Sequence, residues 1–226
     1  MPRIRRGITP RKSNIQSENI FFVIASEGAE TERIYFEALN AHIQGNTKLR
    51  TVKVEFLERG KDKSNSSHLY VMKQLDEYKK RFSLSKEDEL WLVIDRDKQN
   101  NPIRNIGNIA QKCLQKGFNL ALSNPNFEFW LLLHLKNIQE YSKEEKEMLL
   151  ENPRIAGSNS APKFLERELA ILLGSAYSKS KFDTVPFMKA LPFAIQQAEE
   201  LDHEERWHEN QLGTRVYLLI KNILKI

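Results

Sequence analysis

The chain has one cysteine, Cys113, among 226 residues, so it can form no internal disulfide and has no second thiol with which to build a thiolate metal site. Cys113 is expected to act as a small hydrophobe on a helix. No stretch reaches 18 apolar residues, which leaves no segment able to span a membrane as a helix. The opening MPRIRRGITPRK is basic, but no apolar segment and no small-residue cleavage site follow it. A secretory leader is therefore not expected, and a cytoplasmic location is. Internal repeats and low-complexity tracts are also missing, and the first 17 positions contain no acid.

That last absence locates the charge. Arg3, Arg5, Arg6, Arg11 and Lys12 supply five positive charges, which equals the net charge of +5 for the whole chain. The body after them is balanced. The basic character belongs to residues 1–18, expected to form a flexible arm that is either a solvated leader or a nucleic-acid-binding element whose cations contact phosphates. With 40% hydrophobic and 29% charged residues, the rest is an ordinary soluble chain, long enough for one large domain or for a domain with an appended subdomain.

The apolar run IFFVIA, 20–25, reads as a strand, SEGAET as a turn, and the pattern placing Ile34, Leu39 and Ile43 near one face as a helix. TVKVEFL, 51–57, alternates as a half-exposed strand does, and ERGKDKSNSS leads into a helix over 68–82. ELWLVID is the third strand, 103–116 the third helix, and 118–123 the fourth strand after the Gly117 stop. Three strand-helix units closing on a fourth strand predict an α/β fold with a mainly parallel four-stranded sheet, helices on both faces and right-handed crossovers. After Ser123 the strand signals stop, and the spacing predicts helices over 126–137, 143–151, 162–174, 187–202 and 211–224. The expected division is an α/β catalytic domain over 19–135 and an all-helical extension over 136–226 packed on it.

In an open parallel sheet, ligands bind beyond the carboxyl ends of the strands. Those ends are acidic here: Glu27 and Gly28 follow the first strand, Asp95 and Asp97 the third, and Glu128 comes shortly after the fourth. On an extended segment, residues two apart point to one side. Carboxylates gathered at one edge repel one another, and a divalent cation relieves that repulsion; hard oxygen donors suit magnesium or manganese. The plain alternative is that Asp95 and Asp97 cap backbone N–H groups. Glu32 either ligates a second ion or favours the positive N-terminus of its helix. Glu128 is either a ligand or a neighbour that orients one. Lys98, closest to the acids among the loop lysines Lys61, Lys63, Lys98 and Lys163, is either a plain surface lysine, as the others are by default, or a cation that gives the electrostatic help phosphoryl transfer needs. In SNPNFEFWLLLH the aromatic residues and His134 fall on helical spacing and read as core.

ASEGAETERIYFEAL, LWLVIDRDK and LSNPNFEFWLLLH resemble the signature segments of the RloB family, within the wider Toprim-type metal-dependent nucleases, over about residues 20–135 and more loosely through NQLGTRVYLLIKNIL. The resemblance implies a Toprim/Rossmann-like fold and assigns the Toprim acids to Glu27, Asp95 and Asp97. Ser26 departs from it, standing where an apolar residue or a cysteine is more usual. It further implies bacterial defence against phage, encoded near restriction systems, and cutting of nucleic acid. The function expected on that basis is a nuclease dependent on Mg2+ or Mn2+, with catalytic residues Glu27, Asp95, Asp97 and Lys98 and metal ligands Glu27, Asp95, Asp97, Glu32 and Glu128. Its substrate is RNA, tRNA included, or DNA. Further partners considered are a defence-system protein and a second copy of the chain; no membrane partner is expected. The six tyrosines carry no positional signal for strand transfer, which favours hydrolysis. The competing reading is a non-catalytic nucleic-acid-binding or regulatory module with the same acidic site.

Overall fold

IFFVIA and LWLVI are apolar at nearly every position, the pattern of strands covered on both faces, and they become two of the inner strands of a mostly parallel sheet. The computed structural model describes residues 19–28, 30–45, 49, 51–57, 68–96, 103–156, 161–202 and 211–225. Five strands are formed: β1 (Ile20–Ser26), β2 (Val52–Phe56), β3 (Glu89–Asp95), β4 (Asn119–Asn124) and β5 (Gly213–Thr214). They lie in the order β2-β1-β3-β4-β5, with all pairs parallel except β4 with β5. β2, whose sequence alternates, is an edge strand with its middle half-buried, as that alternation requires.

Strand parity sorts the core into two layers. Phe22 and Ile24 of β1 and Trp91 and Val93 of β3 face α1 (Thr31–Gln44) and the helices of the carboxyl-terminal half. Val23, Ala25, Leu90, Leu92 and Ile94 face α2 (His68–Arg81) and α3 (Ile103–Lys116). Cys113 is buried in that second layer, and burial pushes its thiol up to about 11, so it behaves as the small hydrophobe expected.

α4 (Phe127–Leu135), FEFWLLLHL, is apolar on every side and buried on every side from Phe127 to His134. It packs against α1, β4 and the later helices α6 (Phe164–Leu173), α7 (Val185–Lys189) and α8 (Leu191–Leu201). His134 is structural: Nδ1 meets Trp130 O at 2.8 Å, Nε2 meets the Tyr35 hydroxyl at 3.2 Å, and burial holds its pKa down at about 3. α5 (Lys143–Glu151) is capped by Ser142 and Glu145 in a reciprocal box.

Three expectations need correction. The sheet has five strands, and the extension after residue 135 is not all helical, because Gly213 and Thr214 leave the expected helix over 211–224 to pair with Asn124 and Ser123. Arg215 N–H donates to Leu122 O at 2.8 Å, and the Thr214 and Ser123 hydroxyls bond at 2.8 Å, so α9 (Val216–Leu224) begins only after the strand edge is satisfied. The expected helix over 187–202 is two helices divided at Ala190, where Pro192 has no N–H to continue the α7 ladder and instead sits in the first turn of α8. Among the described residues no helix is long and apolar enough to cross a membrane.

Candidate metal centre

The sheet order turns back at β1, whose neighbours β2 and β3 lead away in opposite directions. The crevice beyond the carboxyl ends of β1 and β3 is therefore the place where a ligand fits. The turn after β1 is tightened by Ser26, whose Oγ donates to Gly28 O at 2.9 Å, and Glu27 N–H donates to Val93 O at 3.2 Å, which ties the turn to β3. Ser26, the departure from the family pattern, thus shapes the turn itself.

Beyond these strand ends lies a cavity of about 240 Å3 lined by Gly28, Glu30, Thr31, Glu32, Asp95, Glu128 and Lys179. Asp95 shares the parity of Trp91 and Val93, so its side chain belongs to the α1 and α4 layer. Its Oδ1 accepts from Phe127 N–H at 2.9 Å, capping α4. Glu32 sits in the first turn of α1 and Glu128 in the first turn of α4, and both are buried although charged, at 4% and 2% exposure. Each is favoured there by the positive end of its helix. The capping reading of Asp95 and the helix-terminus reading of Glu32 therefore hold alongside their place in the cavity.

Glu32 reaches the cavity because residue 28 is glycine. A Cβ on Gly28 would lie 1.8 Å from both Glu32 carboxylate oxygens, so any side chain there expels the carboxylate. Gly28→Ala is expected to leave the fold intact and to weaken any cation-dependent activity about tenfold, the size of effect seen when a ligand's support is lost. Glu32→Gln should produce a similar loss, and the double variant should be no worse than Glu32→Gln alone. Additive losses, measured as rates against manganese concentration, would separate the glycine from the glutamate.

Burial holds the Asp95 carboxyl well above its ordinary range, helped by the charges of Glu32, Glu128 and Glu27 and opposed by Lys179. Lys179 Nζ lies 2.8 Å from Glu128 Oε1 and 3.4 Å from Glu166 Oε1. Burial works against the lysine's charge, yet Glu128, Glu166 and Asp95 hold its pKa raised. Glu30 lines the cavity too, but its carboxylate pairs with Arg33 at 3.0 Å.

Among the expected ligands, the structure thus brings Glu32, Asp95 and Glu128 to one cavity. Glu27 does not line it, although its charge is felt by Asp95. Asp97 and Lys98 lie outside the described residues, as do Arg3, Arg5, Arg6, Arg11 and Lys12. Lys163 starts α6, where its backbone N–H donates to Glu166 Oε2 at 3.0 Å. Among the described residues no three Asp, Glu, His or Cys side chains are grouped closely enough to ring an ion as they stand. The donor set is nevertheless all carboxylate oxygen, and the glycine cradle admits one of its members. That chemistry fits a hard cation such as magnesium or manganese.

The family model for RloB-like protein matches residues 22–223. The chain belongs to the RloB-like family. The match runs from β1 to α9 and so includes every residue lining the cavity of this RloB-like chain, from Gly28 to Lys179. No curated protein and no solved structure matches it.

Lys179, which lines the cavity, and Glu166, which pairs with it, are residues that sequence reasoning missed. Both stand beyond the segment where the strand signals end, and nothing in SAYSKSKFD marks one lysine over another.

Proposed function

We propose that this RloB-like chain is a metal-dependent nuclease of a bacterial system that defends against phage, acting in the cytoplasm and hydrolysing phosphodiester bonds in RNA, tRNA included, or in DNA. Its α/β part is read as a Toprim-type unit, on the strength of the acidic turn after β1 and the acidic end of β3. The observation that carries the reading is the convergence of Glu32, Asp95 and Glu128, from three separate strand-helix or helix segments, on one cavity at the turning point of the sheet. Acids brought together at such a cost to Asp95, whose proton is held far above its usual range, are the mark of a site arranged for a cation or for proton chemistry.

Glu32, Asp95 and Glu128 would hold magnesium or manganese there, with Asp97 as a further ligand in the same reading. The bound ion would supply Lewis acidity toward the phosphate and make water a better nucleophile. The chain's own part is positional. Asp95 is fixed by its bond from Phe127 N–H, Glu32 by the glycine cradle, and Glu128 by a helix packed on all sides. Lys98, three positions after Asp95 in the sequence, and the cations of the arm from Arg3 to Lys12 are proposed to draw in the nucleic-acid backbone. A defence-system protein or a second copy of the chain is the proposed further partner, docking on the later helices.

The experiment is incubation with plasmid DNA and with total tRNA, with and without magnesium or manganese. Loss of either substrate only in the presence of metal is the expected result. Binding of intact nucleic acid under all conditions would replace the nuclease by a non-catalytic nucleic-acid-binding module.

A further inference from the structure

Between α6 and α7 the chain makes a tight turn in which Lys181 N–H donates to Ser178 O at 3.0 Å and the Ser178 and Ser180 hydroxyls meet at 3.1 Å. The turn presents Lys179 to the acidic cavity, and it is pinned there through the backbone: Thr31 Oγ1, from the first turn of α1, donates to Lys179 O at 3.2 Å. The ammonium lies between Glu128, whose side chain is 3% exposed, and Glu166, at 21%. Glu166 is itself held by the Lys163 N–H. The lysine side chain is 51% exposed.

This arrangement answers a specific need. A carboxylate as buried as Glu128 is unfavourable unless a positive charge or strong donors meet it, and removing its partner leaves an uncompensated buried charge. Lys179 meets that need from a backbone anchor, with its flexible four-carbon stem reaching in from the solvent side. The ammonium can therefore leave without the loop leaving. Glu128 is also one of the acids that would hold a divalent ion, and the same carboxylate oxygen cannot serve both cations at full strength.

We propose that Lys179 is the built-in counter-ion of the cavity: a divalent cation that takes Glu128 displaces its ammonium, which then meets a phosphate of the nucleic acid at the cavity mouth. The proposal rests on the reading of the cavity as a divalent-cation site. Its consequence is a site that stays folded and charge-balanced without metal and carries its phosphate-binding cation on the same carboxylate that the metal claims.

The test is manganese titration by calorimetry on the full-length protein, comparing the wild type with Lys179→Met, which keeps the stem and removes the charge, and Lys179→Arg, which keeps the charge. Lys179→Met is expected to bind manganese about tenfold more tightly, because the competing cation is gone, and to cleave nucleic acid about tenfold more slowly at saturating manganese, because the phosphate contact is gone. Lys179→Arg should stay within about threefold of the wild type in both. A lysine serving only to hold the fold would lower thermal stability without tightening manganese. Should methionine prevent folding, Lys179→Gln retains a donor for Glu128 and is expected to show the same gain in affinity. Manganese affinity unchanged or weakened in these variants, or cleavage at the wild-type rate at saturation, overturns the proposal alone. Failure of the wild type to bind manganese at all overturns the metal reading and this proposal with it.

Discussion

Asp95→Asn is expected to cut metal-dependent cleavage by at least about 100-fold, since loss of a ligand's mere support already costs about 10- to 100-fold. The asparagine keeps the acceptor for Phe127 N–H, so α4 stays capped and the fold stays intact. What disappears is one negative charge beside Glu32, Glu128 and Glu27. Without metal that charge is a burden, and its removal should raise stability by on the order of 1 kcal/mol, or about 2–4 °C in Tm for a chain of this size. The pH dependence follows from the direction of the shift. Folding raises the Asp95 pKa above its unfolded value of about 3.9, so the folded protein binds the proton more tightly. The stability of the metal-free wild type should therefore rise as the pH falls through the raised value toward the unfolded one, and this increment should be missing in Asp95→Asn. Cleavage rates against magnesium, together with melting curves at several pH values, check both halves. A near-normal rate with unchanged magnesium dependence would remove Asp95 from the site.

The sheet was legible because its strands are short apolar runs separated by helical spacing. What could not be read was β5. Two residues, Gly213 and Thr214, carry no periodicity, and their pairing with Ser123 and Asn124 joins positions about ninety apart in the chain. A strand of that length exists only because a sheet edge is waiting for it. The break at Ala190 was more accessible, since Pro192 lies within the apolar pattern and cannot donate to the preceding turn.

The site was legible by halves. Adjacency to the strand favoured Glu27, whereas the structure turns Glu32 into the cavity. The signal for Glu32 was present: it falls on the same helical stripe as Tyr35, Phe36, Leu39 and Ile43, all buried, and an acid on a buried stripe is held there for a reason. Glu128 carries a similar signal, being the one acid in a helix otherwise apolar on every face except for His134. Lys179 carries none. Its role depends on a loop from the second half of the chain meeting the first turn of α1, and only the packing of α6 and α7 against α4 brings that about.

Trp130→Ala tests that dependence, and it is the substitution expected to cost most in stability. Trp130 is fully buried, with ring contacts to Tyr35 of α1 at 6.3 Å and to His134 at 4.6 Å between centroids. Removing so large a side chain forfeits its transfer energy and leaves a cavity that surrounding helices fill only in part, a loss of about 3–5 kcal/mol. At about 2–4 °C per kcal/mol, Tm should fall by roughly 6–20 °C. α4 contacts β4 and α1 as well as α6, α7 and α8, and one apolar cluster runs from Phe22 to Ile223 through it. The two halves should consequently melt together, in a single transition displaced to lower temperature. Trp130→Phe, which keeps most of the volume and the edge contacts, should lose less than half as much. Calorimetry decides: two separated transitions in Trp130→Ala, or a loss below about 1 kcal/mol, would mean that α6, which bears Glu166, and the turn after it, which bears Lys179, fold independently of the sheet that bears Asp95, and that their meeting at the cavity is docking between units instead of part of one core.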